Sequence, residues 1–165
     1  MGSHNPSASF EPKILAFFCN WGSYRGADLA GTTHIQYPAN VRIIRVMCSG
    51  SVHSVYVLRA LMNGIDGVLI GGCHLGGCHY HNGNYRAMRR MEILKAILRQ
   101  AGMDEDRVWL RWISASEAGL FQETVNQFVA ELRAKGPSPM QKPWEMWQET
   151  SGTWKPQALS PAPGE

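Results

Sequence analysis

The sequence predicts an α/β fold: a single open, mostly parallel sheet of four strands flanked by helices, with an extended C-terminal tail. Three observations carry that expectation. Four short apolar runs rich in β-branched and aromatic residues recur through residue 113. Stretches with helical spacing alternate with them, an order that favours parallel strands joined by crossover helices. The 165 residues are enough chain for one core and too few for two. Such an arrangement is Rossmann-like or flavodoxin-like in outline.

The elements follow in order. Residues 13–18, Lys-Ile-Leu-Ala-Phe-Phe, form the first strand and end at Cys19, and a short helix follows at 26–31, between two glycines. Residues 41–47, Val-Arg-Ile-Ile-Arg-Val-Met, form the second strand and run into Cys48. A helix over 51–62 places Val52, Val55, Val57, Leu58 and Leu61 among its apolar positions and stops at Gly64. The third strand, 66–70, leads through Gly71 and Gly72 to Cys73. A helix over 84–101 carries Met88, Met91, Leu94, Ile97 and Leu98 and ends at Gly102. The fourth strand is 107–113, Arg-Val-Trp-Leu-Arg-Trp-Ile. The last helix, 116–135, carries Leu120, Phe121, Val125, Phe128, Val129 and Leu132 and stops at Gly136-Pro137. The pairing of Ser114 with Glu117 has the form of a capping box, which would start this helix a turn earlier.

Domain limits follow from composition. Residues 1–10 are polar, with Gly2-Ser3-His4 read as a tag remnant, and lack the apolar stretch of a secretory signal. Residues 11–136 form the α/β domain. Residues 137–165 hold six of the nine prolines and three of the six tryptophans, and read as a Pro/Trp-rich extended tail. Apolar residues at 44% and charged residues at 18% exclude a wholly disordered chain. No apolar run approaches the ~20 residues of a membrane span, so no membrane partner is expected. A net charge of +3 is too small to point to nucleic acid. Neither a phosphate-cradling P-loop nor a dinucleotide fingerprint is present, since Gly71-Gly72 lacks the third spaced glycine.

The four cysteines are the informative residues. In an intracellular chain they are more often metal-binding or redox-active than disulfide-bonded, and the expected location is cytoplasmic. Cys19, Cys48 and Cys73 each follow the carboxyl end of a predicted strand, and Cys78 lies in the same loop as Cys73. In a parallel sheet those ends share one edge, where open α/β folds bind ligands. Four thiolates gathered there can hold a 2Fe–2S cluster or a tetrahedral zinc ion. Gly22, Gly50, Gly71, Gly72, Gly76 and Gly77 lie beside them and would present backbone N–H groups to sulfur.

Other readings stand beside this one. The histidines of the third loop, His74, His79 and His81, could join two cysteines around zinc. A Rieske-type centre is disfavoured because the loops after Cys19 and Cys48 offer no nearby histidine. They read as donors behind the ligands or as surface groups, and His34 and His53 as surface or helix-edge residues. A thiol enzyme using Cys73 beside His74 is a further alternative. Asp28 and Glu117 have no spacing that demands acid–base work.

The residues also carry a resemblance. Lys13-Ile-Leu-Ala-Phe-Phe-Cys-Asn-Trp21, Ile43-Ile-Arg-Val-Met-Cys-Ser-Gly50 and Gly67-Val-Leu-Ile-Gly-Gly-Cys-His74 resemble the delta subunit of methyl-viologen-reducing hydrogenase. So do Cys78-His-Tyr80, Gly83-Asn-Tyr85 and Trp112-Ile-Ser-Ala-Ser-Glu117, over about residues 11–136 in all. The resemblance implies an iron–sulfur electron-transfer subunit with one 2Fe–2S cluster, not itself a catalyst. It would relay electrons between a hydrogenase or formate-dehydrogenase-type enzyme and the flavin subunit of a heterodisulfide-reductase-like bifurcating complex, in an anaerobic cytoplasm. The family usually reads Cys-Asn-Trp-Cys where this chain reads Cys19-Asn20-Trp21-Gly22. With the fifth cysteine gone, Cys19, Cys48, Cys73 and Cys78 are read as the complete ligand set.

Two partner surfaces are expected. The helix over 84–101 bears Arg86, Arg89, Arg90, Lys95 and Arg99 against Glu92 and would steer an acidic partner. Trp144, Trp147 and Trp154 of the tail would anchor on a neighbouring subunit, the alternatives being the chain's own domain or a homodimer.

Overall fold

A computed structural model describes residues 10–140. Residues 1–9 and 141–165, and with them the three tail tryptophans, lie outside the described residues. Four strands alternate with four helices: β1 Ile14–Cys19, α1 Ser23–Thr32, β2 Val41–Val46, α2 Ser54–Met62, β3 Gly67–Gly72, α3 Gly83–Gln100, β4 Val108–Trp112 and α4 Ala118–Lys135. The sheet is wholly parallel, in the order β2-β1-β3-β4.

Burial explains the order. Every residue of β3 is buried, which suits a strand covered on both faces and reads as a continuous apolar run. Edge strand β2 is largely exposed: Arg42, Ile44 and Arg45 are exposed, Ile43 and Val46 partly so, and only Val41 is buried. Side chains alternate across the sheet with period two. Ala16 and Phe18 of β1 enter a core with Phe121, Val125, Phe128 and Leu132 of α4. Phe17, with Val68 and Ile70 of β3, enters a second core with Val57 and Leu61 of α2 and Met91, Leu94 and Leu98 of α3.

Three helix starts differ from expectation, each for a local reason. Helix α1 begins at Ser23, not 26, because Gly26 is not a terminus: a Cβ there would sit 2.9 Å from the Ser114 carbonyl oxygen, so glycine lets α1 press on the chain after β4. Helix α2 begins at Ser54, since Ser49–Ser51 is a separate 3₁₀ turn and His53 caps the helix with Nδ1. Helix α4 begins at Ala118. Glu117 Oε2 does accept the Ser114 N–H at 2.6 Å, half of a capping box, but it closes a turn that precedes the helix.

Strands β1 and β3 are neighbours although β2 lies between them in sequence. The chain moves one way from β1 to β2 and the other way from β1 to β3, so their carboxyl ends form the switch point of the sheet.

Candidate metal centre

Cys19 is the last residue of β1, and Cys73 follows β3 directly. Because those strands are adjacent, the two sulfurs lie 3.7 Å apart, with the residues 1% and 7% exposed. Cys48 caps the 3₁₀ turn after β2, and its Sγ lies 4.0 Å from that of Cys78. This second pair is only partly buried. The structure therefore gathers all four predicted cysteines at the carboxyl edge as two pairs, one sealed by the sheet and one facing outward. All four are free thiols, far beyond the ~2.05 Å of a disulfide.

The pairs differ electrostatically. Hydrogen bonding from the Cys73 thiol, with further help from the backbone N–H groups of Trp21, Gly22 and Ser49, holds Cys19 down to about 6. Cys73 is pushed up, first by sharing that hydrogen bond with Cys19 and then by burial. Cys48 is raised, mainly by burial, against the Gly50 N–H that donates to its sulfur at 3.4 Å. The more acidic member of the inner pair is thus Cys19, not the Cys73 of the thiol-enzyme alternative.

Close backbone approach builds the walls. Gly83 opens α3, and a Cβ there would run into Cys48 Sγ and lie 3.3 Å from Cys78 Sγ. A Cβ at Gly50 would sit 2.6 Å from the Gly83 carbonyl oxygen. The first turn of an 18-residue helix thereby reaches the outer sulfurs, and its dipole favours negative charge there. At Gly22 a Cβ would lie 3.1 Å from Cys73 Sγ but only 2.7 Å from the Ile113 carbonyl oxygen.

Helix α3 also ties down the cysteine loops. Buried Asn84 donates through Nδ2 to the carbonyls of His74 at 2.7 Å and Cys73 at 3.3 Å. Arg90 donates to the carbonyls of Gly50 at 2.9 Å and Val52 at 2.6 Å, holding the Cys48 loop. Sequence reasoning assigned neither role. A signal existed for Arg90, which falls beside the buried stripe of Ala87, Met91, Leu94 and Leu98. The expected cationic patch is correspondingly smaller: Arg90 faces inward to the loop and Arg99 is paired with Glu105 at 2.7 Å, leaving Arg86 and Arg89 exposed and Lys95 partly so.

The histidines line the rim. His74 Nε2 meets Glu117 Oε2 at 2.7 Å, and this contact with the Ser114 N–H holds the Glu117 carboxyl below its usual range. His79 stacks on Trp21 at 3.7 Å, and its backbone N–H faces the Cys73 sulfur. His81 sits in a left-handed turn conformation, φ 66°. Among the described residues, no three His, Cys, Asp or Glu side chains converge on a point for a single ion.

The donor set fits a sulfur-ligated group with two metal atoms. A metal–sulfur bond of about 2.3 Å in tetrahedral geometry separates two thiolates on one metal by about 3.8 Å. Both pairs lie near that value.

A parallel sheet that brings two thiol pairs to its switch point defines the class: α/β domains with a cysteine crevice at the carboxyl edge. Within that class, the chain belongs to the methyl-viologen-reducing hydrogenase delta subunit family, which matches residues 14–136. It is 47% identical over 134 residues to the vhc iron-sulfur subunit of the F420-non-reducing hydrogenase of Methanococcus voltae, covering 81% of this chain and 93% of that one. It is 45% identical over 131 residues to the iron-sulfur subunit of the F420-non-reducing hydrogenase of Archaeoglobus profundus, covering 79% and 96%. It is also 50% identical over 126 residues to one subunit of the ferredoxin/F420H2-dependent CoB-CoM heterodisulfide reductase of Methanosarcina acetivorans. That match covers 76% of this chain but only 16% of the much longer relative. Among the described residues, no helix is long and apolar enough to cross a membrane.

Proposed function

We propose that the chain carries one 2Fe–2S cluster on Cys19, Cys48, Cys73 and Cys78. It passes single electrons between a hydrogenase or formate-dehydrogenase-type enzyme and the flavin subunit of a heterodisulfide-reductase-like complex. One observation carries the reading: four thiols arranged as two pairs, at 3.7 and 4.0 Å, each at the spacing of two ligands on one metal. When bound, such a cluster takes up and gives back one electron at a time. The chain's own residues do the rest. Cys19 and Cys73 would hold the group from the side of the sheet, and Cys48 and Cys78 from the side of the first turn of α3. Backbone N–H groups directed at Cys19, Cys48 and Cys73 stabilise thiolate charge. Trp21, His79 and Tyr80 cover the rim.

The relatives support the setting. Similar sequences occur as separate iron-sulfur subunits of hydrogenases and as a segment of a heterodisulfide reductase chain. A domain found in both places suits a connector between them. Protein prepared without oxygen should contain about two irons and two sulfides per chain, with visible absorption that bleaches on reduction. Stoichiometric zinc without sulfide would replace this reading with a structural-metal one.

A further inference from the structure

Four thiolates do not select iron by themselves. For a given set of ligands zinc binds more tightly than iron(II), so selectivity has to come from geometry. A single tetrahedral ion needs all four sulfurs about 3.8 Å from one another, whereas a group with two metals needs that spacing only within each pair. The chain has the second arrangement. Its sulfurs lie 3.7 and 4.0 Å apart within the pairs, and among the described residues no three such ligands converge on one ion. The loop that carries Cys78 offers little resistance of its own. Residues 74–77 and 79–82 are exposed, Gly76 takes φ 83°, and a Cβ there would meet nothing within 4 Å. Something else has to keep the outer sulfurs from closing on the inner pair.

We propose that Arg90 and Asn84 of α3 determine the metal specificity of the site. They are positioning residues that hold the two outer loops, so that the four thiolates accept a two-metal cluster and refuse a single zinc ion. The inference rests on the electron-transfer reading of the same cysteines and adds which other residues decide what those cysteines take.

Arg90 acts on the Cys48 side. Its Nη1 donates to the carbonyls of Gly50 at 2.9 Å and Val52 at 2.6 Å. Gly50 in turn donates its N–H to Cys48 Sγ at 3.4 Å. Gly50 also rests on the start of α3, where a Cβ on it would sit 2.6 Å from the Gly83 carbonyl oxygen. The residue that orients the Cys48 sulfur is thus fixed to α3 twice. Asn84 acts on the Cys78 side. It is fully buried and donates to the His74 carbonyl at 2.7 Å. That carbonyl also accepts the Gly77 N–H at 2.9 Å, in the turn that leads into Cys78. The inner pair needs no such hold, because Cys19 ends β1 and Cys73 directly follows its neighbour β3. Drawing an outer sulfur inward, as one ion requires, would break bonds made by a guanidinium or a buried amide, the kinds most costly to lose.

The test is metal content of the full chain, isolated without oxygen from cells supplied with both iron and zinc. Arg90→Met keeps the aliphatic stem and loses the donors, and its zinc-to-iron ratio should rise at least about tenfold over the unchanged chain. Asn84→Ala should do the same from the other loop. Arg90→Lys should stay within about threefold of the unchanged chain, since both bonds come from one nitrogen and an ammonium carries three donors. Emptied protein titrated with cadmium gives a readout free of iron. Thiolate-to-metal absorption per bound cadmium should be about twice as strong in Arg90→Met and Asn84→Ala, with four thiolates on the ion in place of two. Iron lost with no zinc gained, or equal cadmium absorption in all chains, would overturn the proposal and leave the two residues as supports of the fold alone. Stoichiometric zinc without sulfide in the unchanged chain is a different result: it would overturn the electron-transfer reading, and this inference with it.

Discussion

The two edges of the sheet solve opposite problems. At the amino edge, Asp66 is 2% exposed and its carboxylate accepts the Lys13 and Ser138 N–H groups, both at 2.9 Å. Arg107, also buried, donates to the carbonyls of Asp66, Gly136 and Pro137, and its Nε lies 3.7 Å from Asp104 Oδ2. Apart from that Nε, which has no hydrogen-bond partner among the described residues, the buried charges there are satisfied by protein groups. At the carboxyl edge the candidate ligand atoms are four sulfurs whose side-chain hydrogen-bond partners, among the described residues, are one another. A thiol is a weak donor and acceptor, so little is gained by such pairing alone. The difference teaches where the fold is complete in itself and where the proposed cluster would complete it.

The comparison breaks most visibly at the cysteines. Cys19→Ala or Cys48→Ala should remove most of the iron from anaerobically prepared protein, because a set of four has no spare member, while circular dichroism shows the sheet and helices retained. Full iron content in Cys48→Ala would bring His74 or His79 into the ligand set. At the other edge Asp66→Ala should do the reverse. It strands the Lys13 and Ser138 N–H groups that the carboxylate accepts, a loss of about 2–5 kcal/mol in denaturant unfolding. Iron per folded chain should stay the same. A fall in that ratio would mean the two edges are coupled through β3.

Gly83→Ala gives a smaller effect that sharpens the contrast within the site. Its methyl group would collide with Cys48 Sγ, and α3 or the Cys48 loop has to move. Overpacking of this kind costs about 1–3 kcal/mol. The displaced pair is the outer one, so iron occupancy should fall although no ligand is lost. Unchanged occupancy measured by iron analysis would show that the first turn of α3 is not a wall of the site.

Much of this was legible in the sequence, and the limits have physical causes. The run Gly67-Val-Leu-Ile-Gly-Gly announces a strand buried on both faces, and with three cysteines placed after strands, a parallel sheet implies a shared edge. The pairing was not legible. It depends on β3 docking beside β1 and not beside β2, which no local pattern states. The roles of Asn84 and Arg90 were hidden for the same reason, since their partners are backbone carbonyls 10 to 40 positions away. Arg90 even looked like surface charge, because a helical position one step from a buried stripe can face either way. Helix starts erred where glycine or serine marks a close approach instead of a terminus, as at Gly26 and Ser114.

The smallest expected effect concerns residue 22, where the resemblance expects a fifth cysteine and this chain has glycine. A side chain at residue 22 starts 3.1 Å from Cys73 Sγ, close enough to suggest a fifth ligand, but also 2.7 Å from a backbone oxygen that cannot swing aside. Gly22 has φ −125°, outside the left-handed region, and the Ile113 carbonyl oxygen crowds any side chain placed there. Gly22→Ala and Gly22→Cys should therefore pay the same steric cost, with stabilities within about 0.5 kcal/mol of each other and equal iron content. The alanine variant is the necessary reference, because Gly22→Cys alone mixes the clash with any gain from the thiol. If the cysteine variant binds more iron than the alanine variant, its sulfur has joined the site and the four-cysteine set is incomplete. If the two agree, the crevice holds its group with the inner and outer pairs alone, and residue 22 serves by leaving room for Ile113 and Cys73 to approach.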